Sequence, residues 1–204
     1  MAYELNKKQS TTLWLFVEKD RIPAFSPVLA KGFIVKARVG CSVRNLLCDQ
    51  FGLSVDYLEH RIQTIFLDGK AVDNVSTAVV RQDSTLALSA AMPGLAGATL
   101  RRGGVFASMR SQITHKKIAK SEIVKDGTIV LKLFNLVAGE IGSMFLAQGL
   151  WISGKHLQDF FRKALDHFWA GCLAAEIDGA HREIDTLPNI DWGQQTVFFT
   201  LRTN

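Results

Sequence analysis

The side chains with the greatest potential for chemistry are acidic residues that lie around a histidine near the end of the 204-residue chain: Glu176, Asp178, His181, Glu183 and Asp185. A two-residue turn at Asp178-Gly179 would make Glu176 and His181 cross-strand neighbours, close enough for an ion pair. Because Ile177 and Ile184 alternate with these charges, the simpler interpretation is the solvent-exposed face of a β-hairpin. The sequence therefore predicts no catalytic residue here.

The histidines and cysteines give no sign of a metal site or of a nucleophilic centre. The five histidines lack the HxH and HExxH spacings, and no G-x-S-x-G or Cys–His signature occurs. Cys41, Cys48 and Cys172 are odd in number and form no CxxC pair, which is typical of reduced thiols in a cytosolic protein. We expect no metal and no cofactor, and the sequence favours a non-enzymatic protein while leaving catalysis open.

A second candidate for function is a basic strip between residues 101 and 125. It holds seven lysines and arginines against Glu122 alone, while the whole chain carries a net charge of +5. Such a strip could face nucleic acid, phosphate or an acidic protein partner, or it could be a solvated linker. Nucleic acid is disfavoured because Phe106 is the strip's one aromatic residue suited to base stacking. The residues predicted to bind a partner are Arg101, Arg102, Gly103, Gly104, Arg110, Lys116 and Lys117.

The composition, with 48% hydrophobic and 21% charged residues, is that of an ordinary globular protein. The most apolar stretch, 129–152, is interrupted by Lys132 and Glu140 among other polar residues, so we predict no membrane span. The segment MAYELNKKQSTT has no apolar region behind its lysines, which predicts no secretory signal. We expect a cytoplasmic protein.

The elements that must position these residues are clearest in the first half. Apolar runs predict strands at 13–17 and 33–39, which could pair as a long-looped hairpin. Ser42 is a suitable N-cap for a short amphipathic helix that ends near Phe51. Further strands are predicted at 61–67 and 84–89, and Asp68-Gly69 after the first of them is a strong tight-turn signal.

The second half reads as mostly helical. The apolar spacing of residues 126–148 predicts one helix that is apolar on more than one side, so the helix over 129–146 lies in a core or forms a homodimer surface. A second helix is predicted from Gly154 or Lys155 to about Trp169. A hairpin over 173–184 and a strand over 196–201 follow.

Four segments together resemble the β-grasp superfamily of ubiquitin and of the sulfur carriers of molybdopterin and thiamine synthesis: Ser42–Leu47, Phe66–Val72, Val79–Leu88 and Arg101–Gly104. The resemblance covers about residues 33–104 and implies one helix packed across a mixed sheet. It also implies a Gly-Gly tail whose terminal carboxylate is activated by an adenylating enzyme. Here Gly104 is followed by Val105, so that chemistry would require cleavage after Gly104.

The sequence therefore predicts an α+β protein with a β-grasp ubiquitin-like sheet and one packed helix, followed by a second half of helices and a β-hairpin that matches no family known to us. The predicted domains are 10–104, a basic linker 105–125, and 126–204. The first functional hypothesis is an intact, non-enzymatic module that binds a protein partner. The second is the precursor of a sulfur carrier or protein modifier.

Overall fold

The structure is a computed structural model, and it describes residues 10–110, 113–115 and 123–203. The protein belongs to the α+β class, and the described residues contain ten β-strands in mixed sheets. The strands are β1 (Thr11–Val17), β2 (Phe33–Val39), β3 (Thr64–Leu67), β4 (Lys70–Ala71), β5 (Thr85–Ser89), β6 (Lys125–Phe134), β7 (Leu150–Ser153), β8 (Cys172–Ile177), β9 (Ala180–Arg182) and β10 (Thr196–Thr203).

The helices of the described residues are mostly short. Five are α-helices: α1 (Ser26–Lys31), α2 (Gly94–Leu100), α3 (Asn135–Gln148), α4 (Gly154–Lys163) and α5 (Asp166–Ala170). Tighter 3-10 helices and wider helical turns make up the others: Lys19–Phe25, Asn45–Gln50, Tyr57–Arg61, Val105–Arg110 and Ile184–Asn189.

The chain divides into two compact units. The first unit consists of Met1–Ile34 and Ala138–Asn204, and the second unit is Val35–Val137. The predicted division into a domain 10–104, a basic linker 105–125 and a domain 126–204 has other bounds and stays a prediction.

In the first unit, β1 is bonded on both of its edges. It runs parallel to β10 and antiparallel to β8, and its residues Leu13, Leu15 and Val17 are fully buried. The predicted hairpin between 13–17 and 33–39 is therefore wrong, because neither edge of β1 is left for a further strand. The predicted hairpin at Asp178-Gly179 and the terminal strand are confirmed as β8–β9 and β10.

Aromatic side chains from the helices and from β10 pack in the core of the first unit. Phe25 is fully buried, and its ring centroid lies 5.2 Å from Phe160, 5.5 Å from Phe168 and 5.6 Å from Phe199. The single helix predicted from residue 154 or 155 to 169 is two helices, α4 and α5, with Ala164 and Leu165 extended between them. This break lets Phe168 turn back onto Phe160 in an edge-on contact at 5.4 Å.

The second unit contains a sheet with the strand order β4-β3-β5-β6-β2. β5 runs parallel to β6 and antiparallel to β3. The predicted tight turn is confirmed, since Asp68 and Gly69 have φ values of +50° and +76° between β3 and β4. The predicted helix start is confirmed as well: the backbone N–H of Asn45 donates to Ser42 Oγ, and the helix buries Leu46 and Leu47.

The predicted helix over 126–148 is wrong in its first half, where the chain forms strand β6. Ile129, Leu131 and Leu133 are fully buried at alternate positions, as in a strand, and β6 lies between β5 and β2. Val130 and Phe134, at the positions between and after these, are apolar as well, so the sequence of β6 also fits a helix that is apolar on more than one side. Only 135–148 is helical, so the proposed dimer helix 129–146 is not a single helix.

Candidate functional site

The described residues predicted to bind a partner lie in one connection of the second unit, between α2 and the 3-10 helix Val105–Arg110. Arg101, Arg102, Gly103 and Gly104 form the turn, and Arg110 ends the 3-10 helix. Lys116 and Lys117 lie outside the described residues. Five of the seven predicted residues therefore lie in this one turn and the helix that follows it.

Arg110 points inward and uses every one of its hydrogen-bond donors. Its side chain is 2% exposed. Nη1 and Nη2 donate to the two carboxylate oxygens of Asp73 at 3.0 and 2.6 Å. Nε donates to the Thr99 carbonyl at 2.8 Å, and the remaining donors meet Thr114 Oγ1 and the Arg101 carbonyl. An arginine with five satisfied donors stabilises its surroundings and has none to offer to a partner.

Asp73 provides the counter-charge for the buried Arg110 guanidinium. Burial alone would raise the pKa of the Asp73 carboxyl, but hydrogen bonds from Arg110 and from the Gly103 backbone outweigh burial and hold the pKa below its usual value. The carboxylate is therefore ionised under physiological conditions. It ties three parts of the second unit together: its own loop, the glycine turn and the 3-10 helix.

Arg102 is also bonded to its surroundings, but through fewer donors, since its Nη1 is buried without a hydrogen-bond partner among the described residues. Its backbone N–H donates to the Gln63 carbonyl at 2.7 Å, and its guanidinium donates to the Leu58 carbonyl and to Glu59. Its side chain is 9% exposed. Of the three arginines of the connection, Arg101 alone presents an exposed side chain.

The two glycines form an ordered turn. Gly103 has a φ of +61°, in the left-handed region that favours glycine, and its N–H donates to Asp73 Oδ1 at 3.0 Å. The N–H of Gly104 donates to the Arg101 carbonyl, and the Gly104 carbonyl accepts from Ala107. The two glycines are thus held by hydrogen bonds to both of their N–H groups and to the Gly104 carbonyl.

Around this turn the protein exposes large apolar side chains, which we call the 92–113 surface: Met92, Leu95, Val105, Phe106, Met109 and Ile113. Val105 is 92% exposed, and Leu95 and Met109 are 70% and 69% exposed. Between Asp83 and Glu122 the chain contains no acidic residue. The surface is therefore apolar, lacks acidic side chains and has the exposed basic side chain of Arg101 beside it. The apolar residues are visible in the sequence, but their exposure is not.

The acidic residues of the β8–β9 hairpin do not form an enclosed site. Glu176 and His181 are cross-strand partners, as predicted, but His181 and Glu183 have side chains that are 66% and 80% exposed. Asp178 Oδ1 accepts a hydrogen bond from the Thr12 backbone, which is a structural role. The arrangement supports the interpretation of a solvated hairpin face.

The three cysteines are poor nucleophiles. Burial raises the pKa of the Cys172 thiol to about 11, and burial also raises the pKa values of Cys41 and Cys48. A thiol reacts as its thiolate, so a raised pKa disfavours reaction at these side chains near neutral pH.

Comparison with known proteins finds no match: no family model, no curated protein and no solved structure is similar to this chain. Among the residues that the structure describes, no group of histidine, cysteine and acidic side chains is arranged to hold a metal ion. Within the same residues, no helix combines the length and the apolar character that crossing a bilayer requires.

Proposed function

We propose that the protein works intact, as a non-enzymatic module that binds an acidic protein partner through the 92–113 surface. The observation that carries this proposal is the exposure of Leu95, Val105 and Met109 in a segment without acidic residues. Exposed apolar side chains grouped on one segment mark interaction sites in soluble proteins. The partner that complements them presents an apolar contact surrounded by aspartate and glutamate.

The buried arginines support this proposal by making the surface rigid. Arg110 and Arg102 fasten the turn and the 3-10 helix to Asp73, Leu58 and Glu59. A surface that is already ordered loses less conformational entropy when a partner binds. In this proposal Arg110 acts as a positioning residue, while Arg101 and the apolar side chains contact the partner.

We further propose that the second unit contains a β-grasp sheet. In it, β6 takes the place beside β2 that the first strand of the chain has in a β-grasp protein. From the sequence we expected that the strand beside β2 would be the earlier strand over residues 13–17. In the structure a neighbour of β2 is β6, which also lies parallel to β5. One helix, Asn45–Gln50, packs its leucines into the same unit.

The alternative, a sulfur-carrier or modifier precursor activated by an adenylating enzyme, requires a free carboxylate on Gly104. Two features support the intact chain over this alternative. Cleavage after Gly104 would separate β6 from the sheet in which it lies between β5 and β2, and it would separate Arg110 from Asp73. Intact mass measurement on protein from its native cells distinguishes the two, because a species ending at Gly104 would establish processing.

Site-specific photo-crosslinking tests the proposed surface. We expect benzoylphenylalanine at Met109 to form an adduct with a protein partner in native cells, and the linked peptide to be rich in aspartate and glutamate. The same group at Val55, which is 44% exposed elsewhere in the second unit, serves as the matched control and should form no such adduct.

The isolated partner then allows a quantitative measurement. Replacing Leu95 and Met109 by serine should weaken its binding at least about tenfold, as expected for central apolar contacts. Arg101→Glu should weaken binding further and reduce its dependence on salt. An adduct that joins two copies of this chain, or equal adducts from Met109 and Val55, would contradict the proposal.

A further inference from the structure

The first unit contains a groove that none of the preceding functions uses. It has a volume of about 360 Å³ and lies where α1 and α4 pack together, and residues of α5 also line it. Its main lining residues are Pro27, Val28, Lys31, Asp159, Phe160 and Lys163. Clefts of roughly 300–1,000 Å³ with mostly apolar linings are the usual sites for small ligands.

The floor of the groove is aromatic and firmly packed. Phe160 lines it, and the Phe160 ring is held between Phe25 at 5.2 Å and Phe168 at 5.4 Å. Because Phe25 is fully buried and Phe168 nearly so, the Phe160 ring rests on a packed aromatic cluster. A flat or extended apolar ligand would contact the exposed side of Phe160.

Of the two lysines that line the groove, one is paired with a carboxylate and, among the residues that the structure describes, the other is not. Lys31 Nζ lies 3.6 Å from Asp159 Oδ2, so these two charges largely neutralise each other. Lys163 lines the same groove and forms no ion pair with any residue in the described part of the chain. The groove therefore offers one uncompensated positive charge beside an apolar floor.

We propose that this groove binds a small apolar carboxylate, with its aryl or alkyl portion against Phe160 and its carboxylate near Lys163. A single negative charge matches the one lysine of the groove, Lys163, that is not already paired with a carboxylate of the described residues. A volume of about 360 Å³ lies at the lower end of the range for small-ligand sites, which suits a compact molecule such as a phenylalkyl acid.

Titration of the full chain with 4-phenylbutanoate, followed by two-dimensional NMR, tests the proposal. The neutral amide of the same compound serves as the matched probe. We expect the acid to bind about fivefold more tightly than the amide, since a half-exposed ion pair contributes about 1 kcal/mol. The perturbed backbone signals should come from residues 24–31 and 156–168.

Two charge-reversal variants identify the cation. Lys163→Glu should weaken binding of the acid about tenfold and leave the amide unchanged, because only the acid needs the positive charge. Lys155→Glu makes the same change of net charge on an exposed position of α4 outside the groove, and should alter neither affinity.

Several outcomes would overturn the inference: equal affinity for the acid and the amide, no binding of either, equal effects of the two variants, or perturbed signals away from the groove. Spectra of the free variants that match the unmodified protein exclude a general loss of structure. These results are independent of the 92–113 surface, because the two experiments address different units of the chain.

Discussion

Arg110 and Asp73 form an ion pair whose two members lie in very different surroundings. The arginine side chain is 2% exposed and the aspartate is 35% exposed. A buried charge that loses its partner is destabilised far more than a charge that water can reach. The arginine therefore depends on the aspartate more than the reverse, and this asymmetry can be measured.

Asp73→Ala should lower the free energy of unfolding by roughly 3 kcal/mol, because it leaves the Arg110 guanidinium buried without its counter-charge. Chemical denaturation measures this loss. Asp56→Ala is the matched control, since its carboxylate is 87% exposed and its contact with His60 is a surface pair. The control should change stability by no more than about 0.5 kcal/mol.

The pH dependence of stability distinguishes the contribution of the Asp73 charge from that of the packing of its side chain. A carboxyl with a lowered pKa stabilises the folded protein above its unfolded-state pKa, and this contribution disappears as pH falls through the folded-state value. The difference in stability between the unmodified protein and Asp73→Ala should therefore narrow as pH falls below about 4. A difference that stays constant down to acidic pH would contradict the electrostatic explanation.

Among the elements, the junction of β6 and α3 shows most clearly what local sequence reveals and what it does not. Asp68-Gly69 could be predicted because a two-residue turn depends only on residues that tolerate positive φ. The strand Lys125–Phe134 could not, because its apolar residues face both sides of the sheet and match a helical spacing equally well. The β-branched pair Ile129-Val130 was a signal for a strand, but a weak one.

Asn135 marks the point where the strand becomes a helix. Its φ is +44°, in the left-handed region, where asparagine is tolerated better than other side chains. Its side-chain oxygen accepts from the Ala90 backbone at 3.0 Å, and its amide group donates to Ser89 Oγ at 2.8 Å. Asparagine thus supplies both the backbone conformation and the bonds that fasten the end of β6 to the end of β5.

Asn135→Ala should lower the free energy of unfolding by about 2 kcal/mol, from backbone strain and lost hydrogen bonds together. Asn135→Gly removes the same hydrogen bonds but adopts positive φ freely, so it should cost about 1 kcal/mol less than alanine does. Thermal and urea denaturation of the two variants measures the difference. Equal stability of both variants would show that the backbone conformation at Asn135 carries no strain.

At the scale of the whole molecule, the sequence predicted many elements but few of their partners. Thr11 pairs with Val197, near the other end of the chain, and no local pattern specifies such a pairing. The exposed face of the 92–113 surface was likewise hidden, because an apolar side chain in a sequence does not reveal whether another element covers it. The turn at Gly103-Gly104 was visible as a motif, but its bonds to Asp73 depend on the fold.

The position of β6 leads to a prediction about the integrity of the chain. A fragment that ends at Gly104 retains β2, β3, β4 and β5 but lacks the strand between β2 and β5. It also lacks Arg110, so Asp73 and Thr99 lose their bonds to that side chain. Leu86 and Leu88, fully buried in the complete protein, belong to the strand that loses a neighbour.

We expect the fragment 1–104 to show no cooperative thermal transition and to give a poorly dispersed NMR spectrum, because a sheet that lacks a central strand exposes its apolar face and unpaired backbone groups. The full chain, expressed and purified in the same way, is the comparison and should unfold cooperatively. A folded fragment 1–104 with dispersed signals would contradict the assignment of β6 as a necessary strand. It would also restore the processed carrier, since only a fragment that folds could present a Gly104 carboxylate to an activating enzyme.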